Sequence, residues 1–245
     1  MLGHDRVAID FWLSEKDASR AGAAAAALAD AGIGVEIAQR REGEEWRDAM
    51  RAFHRPVEIA GRLLVRPPWE PPRPGLLDVV VDPGMAFGTG QHATTRGCLT
   101  LMARLAPGAL VDVGCGTGIL AIAARRLGHD PVWALDADPL AVEATIENAR
   151  ANRVGIVAAQ RILGRDRLPA ARHVVANLTA TLLRDLAAVL GAAPPETAIL
   201  SGLRPHEVPE VLRAFSGTGL AEHARIEEDG WAAILLRGKA QGSFR

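Results

Sequence analysis

The sequence predicts an α/β protein built on a mostly parallel sheet with helices on both faces, preceded by a small α/β module. Three observations carry that reading. Short apolar runs that do not alternate with polar residues ("ALVDVGCG", "PVWALDAD", "HVVANL", "TAILSGL") are spaced by helix-forming stretches, as in strands buried on both faces. The first run ends in a dense glycine turn that opens directly into a helical pattern. Five prolines within residues 67–74 separate this region from a differently patterned N-terminus.

Taken in order, "RVAIDFWL" mixes β-branched and aromatic residues and reads as a strand. In "SEKDASRAGAAAAALADAG", Ser14 and Asp17 have capping-box spacing, alanines fill the body and Gly32 marks a stop, which predicts a helix. "GVEIAQRR" reads as a second strand. Trp46, Met50 and Phe53 then fall on one helical face, expected to pack against a core. The proline-rich stretch that follows is excluded from helix and central strand and predicts a stiff connector. The expected organisation is a small module over 1–54, a connector over 55–75 and a main domain over 76–245.

Within the main domain the four apolar runs are strands, with helices over "ILAIAARRLG" and "PLAVEATIENARAN". The chain closes with "ARIEEDGWAAILLRG", two apolar runs about Asp229 and Gly230, which predicts an antiparallel hairpin.

The 245 residues are 49% apolar and 23% charged, with a formal net charge of -1. That balance argues against a backbone-driven grip on nucleic acid. Arg40, Arg41, Arg47 and Arg51 read as a solvated face that is also able to meet a partner. Cys98 and Cys115 lack the spacing of a zinc or redox pair and read as free thiols, and no metal site is expected. The alanine-rich run is too short to cross a bilayer, so a cytoplasmic location is expected.

The chemistry concentrates in "VDVGCGTGILAIA". Gly114, Gly116 and Gly118 allow close approach to the backbone where a helix begins and its N–H groups are unpaired. The spacing is G-x-G-x-G, and Asp112 stands two residues before the first glycine. Pyrophosphate prefers donors without a nearby carboxylate, whereas a carboxylate suits a cation-bearing ligand such as S-adenosylmethionine. Asp136, 22 residues beyond Gly114 at the next strand end, is placed to accept both ribose hydroxyls. A nicotinamide dinucleotide shares that last feature and stays open here, as do purely structural glycines with a helix-capping aspartate.

"VVANLTA" ends a third strand at Asn177, which belongs at the same crevice beyond the strand ends. An asparagine there is equally a turn former. Upstream, "VDPGMAFGTGQHATTR" gathers backbone freedom and small hydroxyls just before a helix. Its His92 reads either as a general base or as a residue that fixes the loop.

Together, "DPGMAFGTGQHATT", "DVGCGTGILAIAA", "ALDADPLAVEATIENARAN" and "VVANLTA" resemble the bacterial ribosomal protein L-eleven methyltransferase family, from about Trp46 to the C-terminus. The resemblance implies a class I S-adenosylmethionine-dependent methyltransferase fold, with a Rossmann-like seven-stranded sheet and a small N-terminal substrate-recognition module. It implies S-adenosylmethionine as donor and ribosomal protein L-eleven as acceptor, methylated on lysine or α-amino groups. By position it assigns donor binding to Thr95, Gly114, Asp136 and Asn177, joined by Asp112 and Gly116. It also implies that residues 87–95 fold over the donor, with Phe87, Gly88 and Thr89 against it. The catalytic candidates are Asn177 and His92.

Two departures stand out. The N-terminal module is about one strand short between "GVEIAQRR" and Trp46, and "NLTA" replaces the commoner "NILA". Donor binding is expected to survive both changes, while acceptor identity is the more exposed. The rival readings are a methyltransferase acting on another protein or a small molecule, and a non-catalytic nucleoside-binding module that docks a partner.

Overall fold

The computed structural model describes residues 55–81, 90–191 and 193–238, which belong to the second of two compact units, Arg51–Arg245. The strand–helix–strand expected over the first 54 residues, Phe87, Gly88 and Thr89 lie outside the described residues.

A three-stranded sheet opens the described chain: β1 (Val57–Ile59), β2 (Leu63–Arg66) and β3 (Leu77–Val80). β1 and β2 are antiparallel, and β3 joins β2 in parallel. The three-residue connection over 60–62 has φ of 51° and 63° at Ala60 and Gly61, and the Arg62 N–H closes it on the Ile59 carbonyl at 3.0 Å. The expected connector therefore differs from the structure in its first half, because Leu63, Leu64 and Val65 are fully or almost fully buried. The prolines at 67–74 carry neither helix nor strand. Arg66 fastens them, donating to both Asp78 carboxylate oxygens at 2.6 and 2.5 Å and to the Glu70 carbonyl at 2.6 Å.

The main sheet has seven strands: β4 (Leu110–Val113), β5 (Val132–Asp136), β6 (Val157–Gln160), β7 (His173–Asn177), β8 (Thr197–Leu203), β9 (Leu220–Glu228) and β10 (Trp231–Gly238). Their spatial order is β6-β5-β4-β7-β8-β10-β9. β4 to β8 run parallel, and β10 is antiparallel to both β8 and β9. The expected hairpin turns at Asp229 and Gly230, with φ of 51° and 74°.

Among the described residues five helices cover the sheet: α1 (Ala93–Met102), α2 (Ile119–Arg126), α3 (Pro139–Ala151), α4 (Ala180–Leu190) and α5 (Val208–Phe215). Period-two alternation sorts the strand residues between two cores. Leu110, Ile199 and Leu235 join Leu99, Ile122 and the small sheet's Leu63 and Val65 on one face. Val111, Leu200 and Ile234 join Leu183, Leu186 and Phe215 on the other. Full burial of such side chains stabilises by about 1.5–3 kcal/mol each. Among the described residues no helix is long and apolar enough to cross a membrane.

Strand order reverses about β4. The chain leaves β4 for β5 on one side and later returns to place β7 on the other. A crevice opens at such a point beyond the strands' carboxyl ends, and Gly114, Asp136 and Asn177 are the residues that the three strands deliver there.

Candidate functional site

The glycine-rich turn is held in place by the protein's own hydrogen bonds. Gly114, Gly116 and Gly118 have φ of 76°, 53° and 78°, values that a side chain would penalise by roughly 1–2 kcal/mol each. Space adds a second constraint at Gly114, where a Cβ would lie 2.4 Å from Leu178 Cδ2. Gly114 and Cys115 donate to the Leu135 carbonyl at 2.7 and 3.1 Å. The turn is thus stitched to the strand that ends in Asp136.

Asp136 receives the Gly116 N–H on Oδ2 at 3.0 Å and the Asp138 N–H on Oδ1 at 3.0 Å. Each carboxylate oxygen has acceptor capacity beyond one bond, so a ribose diol has lone pairs available. Asp138 in turn caps α3 by accepting from Leu140 N–H at 2.9 Å, with Pro139 in the first turn.

Asp112 lies beneath the turn and is fully buried. Its Oδ2 accepts the Ala121 N–H at 3.1 Å, in the first turn of α2, while Oδ1 has no partner among the described residues. Gly118, at the α2 N-cap, has no side chain to do that work. Burial pushes the Asp112 carboxyl up to about 7, against the lowering effect of the Ala121 hydrogen bond, and the nearby Asp136 charge adds to the rise. The structure therefore places Asp112 as a helix cap under the site, not on its open side.

Across the crevice, Asn177 Nδ2 donates to Thr94 Oγ1 at 3.1 Å and reaches Thr95 Oγ1 at 3.5 Å. Both threonines are buried in the first turn of α1. His92 is the α1 N-cap, and its Nδ1 accepts from the Thr94 N–H at 3.4 Å and lies 2.7 Å from Thr94 Oγ1. One direction of donation satisfies the set: Asn177 amide to Thr94 hydroxyl, then Thr94 hydroxyl to His92 Nδ1. The neutral ring then carries its proton on Nε2.

The His92 ring meets Trp231 edge to face, with centroids 5.0 Å apart, and the Arg204 guanidinium lies 3.9 Å over the Trp231 ring. Arg96 fixes the hairpin beside them through Glu228 at 2.9 Å and Asp229 at 2.7 Å. The structure thus groups Gly114, Gly116 and Asp136 on one side, and Asn177, Thr94, Thr95 and His92 on the other. Thr94, Leu178 and Trp231 escaped the sequence reading. The HATT string did offer Thr94 beside Thr95, but nothing local points Trp231 at His92.

A family model described as Ribosomal protein L11 methyltransferase (PrmA) matches residues 4–239. The ribosomal protein L11 methyltransferase of Symbiobacterium thermophilum is 40% identical over 200 residues, covering 79% of this chain and 66% of that protein. Its Nitrosomonas europaea namesake is 40% identical over 222 residues, covering 84% and 70%. The chain thus spans about two thirds of the length of the curated relatives it matches. Among solved structures, ribosomal protein L11 methylase from Lactobacillus delbrueckii subsp. bulgaricus superposes with a TM-score of 0.69 at 29% identity, over 76% of this chain and 100% of that one. A putative RNA methyltransferase from Pyrococcus horikoshii shares the fold at a TM-score of 0.55 and 15% identity, over 65% and 87%. The seven-stranded sheet with its glycine-rich switch point is the class I methyltransferase fold. With the family model covering nearly the whole chain and relatives at 40% identity, the chain belongs to the ribosomal protein L11 methyltransferase family.

Proposed function

We propose that this protein transfers methyl groups from S-adenosylmethionine to lysine or α-amino groups of a protein, with ribosomal protein L11 as the acceptor. The observation that carries the proposal is the pairing of Asp136 with the Gly116 N–H at 3.0 Å. It sets a nucleoside-accepting carboxylate and an open glycine turn side by side, across from the Asn177 amide. S-adenosylmethionine, when bound, supplies a methyl group on a positively charged sulfonium. Gly114 and Gly116 give it backbone to lie against, and Asp136 takes the ribose hydroxyls. Asn177, oriented by Thr94, presents its remaining amide capacity to the acceptor side.

Positioning is then most of the work, since alignment of two reacting groups contributes up to about 7–11 kcal/mol. A lysine acceptor has to lose a proton, which at pH 7 costs roughly 4–5 kcal/mol from an ordinary pKa near 10.4. A low-dielectric crevice lowers that cost. The chain contains no tyrosine, so a phenol is not the base. His92 Nδ1 is engaged with Thr94, which supports a holding role for this residue over proton abstraction. Mass spectrometry of L11 after incubation with enzyme and donor tests the acceptor chemistry. Added 14-Da increments on lysine or the N-terminal amine are expected, and increments on other side chains overturn this part.

A further inference from the structure

Thr145 is fully buried on the side of α3 that packs against the glycine-rich turn. Its Oγ1 donates to the Gly116 carbonyl at 3.1 Å and also lies 3.2 Å from Cys115 Sγ. A hydroxyl has one proton to give, and sulfur is the weaker acceptor. Three residues further along the same helix face, Asn148 Nδ2 donates to the Thr117 carbonyl at 2.9 Å. The preceding carbonyl, that of Cys115, accepts the Gly118 N–H at 2.8 Å. Three successive carbonyls of the turn are therefore taken up by protein donors, and two of the donors are α3 side chains. The packing is close as well, since a Cβ on Gly118 would lie 2.8 Å from Thr145 Cγ2.

We infer that Thr145 and Asn148 are positioning residues for the donor site, holding the Gly116 and Thr117 carbonyls so that the turn presents one fixed surface to the nucleoside. Gly116 is gripped at both ends, by Asp136 at its N–H and by Thr145 at its C=O. Without the second grip, a glycine at φ of 53° has wide freedom to leave that conformation. Ordering it would then be charged to ligand binding. α3 serves both halves of the donor site, because its N-cap Asp138 is itself tied to Asp136. The inference rests on the turn being the S-adenosylmethionine site, as proposed above.

Calorimetric titration of S-adenosylmethionine into the parent protein, Thr145→Val, Thr145→Ser and Asn148→Ala, with thermal unfolding of each, tests it. Thr145→Val keeps the shape and removes the hydroxyl, so the dissociation constant is expected to rise roughly tenfold. Asn148→Ala weakens binding about threefold to tenfold by the same reasoning. Thr145→Ser restores binding to within about twofold of the parent. In steady state the change falls on KM for the donor, while kcat at saturation stays near the parent's. Folded Thr145→Val and Asn148→Ala that bind as tightly as the parent overturn the inference. So does a Thr145→Ser as weak as Thr145→Val, which would show that the hydroxyl alone does not hold the turn. If Thr145→Val does not fold, Asn148→Ala decides, being half-buried and replaced by a good helix former. A parent that binds no S-adenosylmethionine removes the proposed function itself, and this inference with it.

Discussion

Asp136 Oδ2 lies 3.0 Å from the Gly116 amide nitrogen, so one carboxylate both shapes the glycine-rich turn and borders the place where a nucleoside would sit. Asp136→Asn separates these tasks poorly. Its amide nitrogen has to face one of two N–H groups, from Gly116 or Asp138, that now donate to oxygen. Hydrogen bonds to charged groups contribute about 1.5–3 kcal/mol each. Asp136→Asn and Asp136→Ala are both expected to weaken S-adenosylmethionine binding by roughly a hundredfold or more, read by calorimetry.

Leu178 is wedged between two glycines, and the two respond differently to the same substitution. At Gly202, with φ of 85°, a Cβ would lie 2.2 Å from the Leu178 carbonyl oxygen, a backbone atom. At Gly114 the nearest atom is the end of the Leu178 side chain. Gly202→Ala is expected to destabilise by more than about 4 kcal/mol. Gly114→Ala costs roughly 1–2 kcal/mol of backbone strain and spoils donor binding more than folding. Denaturant midpoints alongside donor titrations distinguish the two.

Much of the site was legible before the structure. Gly114, Asp136 and Asn177 each terminate an apolar run, and parallel strands bring their carboxyl ends to one edge. Asp229-Gly230 announced a hairpin. The misses have physical causes. Residues 57–66 are short strands flanked by prolines, and the proline signal overrode "LLV", which buries completely in a small sheet. Asp112 reads as a ligand carboxylate in one dimension, yet alternation along β4 turns it towards α2, where it caps the helix. Trp231 reaches His92 only because β10 folds back antiparallel beside β8, a long-range pairing that no local pattern encodes.

The Asn177 to Thr94 hydrogen bond should matter to turnover more than to donor affinity. Thr94→Val removes the acceptor at 3.1 Å and lets the amide rotate. A fall in kcat of roughly tenfold to a hundredfold is expected, with donor affinity changed by less than about threefold. An equal loss in both quantities would place Asn177 on the donor instead of the acceptor.

Two buried groups give opposite pH slopes to stability. His173 donates through Nε2 to the Ala106 carbonyl at 3.0 Å and pairs through Nδ1 with Thr197 Oγ1 at 2.7 Å. Burial, with the neighbouring His129 next, lowers its pKa from 6.5 to about 4. The unfolded chain binds this proton below 6.5 and the folded protein only near 4, so this contribution is intact above pH 6.5 and is lost as pH falls to 4. Asp112 runs the other way. Its carboxyl is raised from 3.8 to about 7, so stability declines as pH rises across that interval, on the order of 4 kcal/mol. Denaturation of Asp112→Asn between pH 4 and 8 should show the variant gaining on the parent up to pH 7 and then levelling. In His173→Gln the parent's relative loss should appear below pH 6.5.

The most direct test is transfer of a radiolabelled methyl group from S-adenosylmethionine to purified ribosomal protein L11, with the parent protein beside Asp136→Ala. Label is expected on L11 with the parent and is lost in the variant, although the variant remains folded. Equal labelling by both proteins, or none on L11 from a parent that binds the donor, would contradict it.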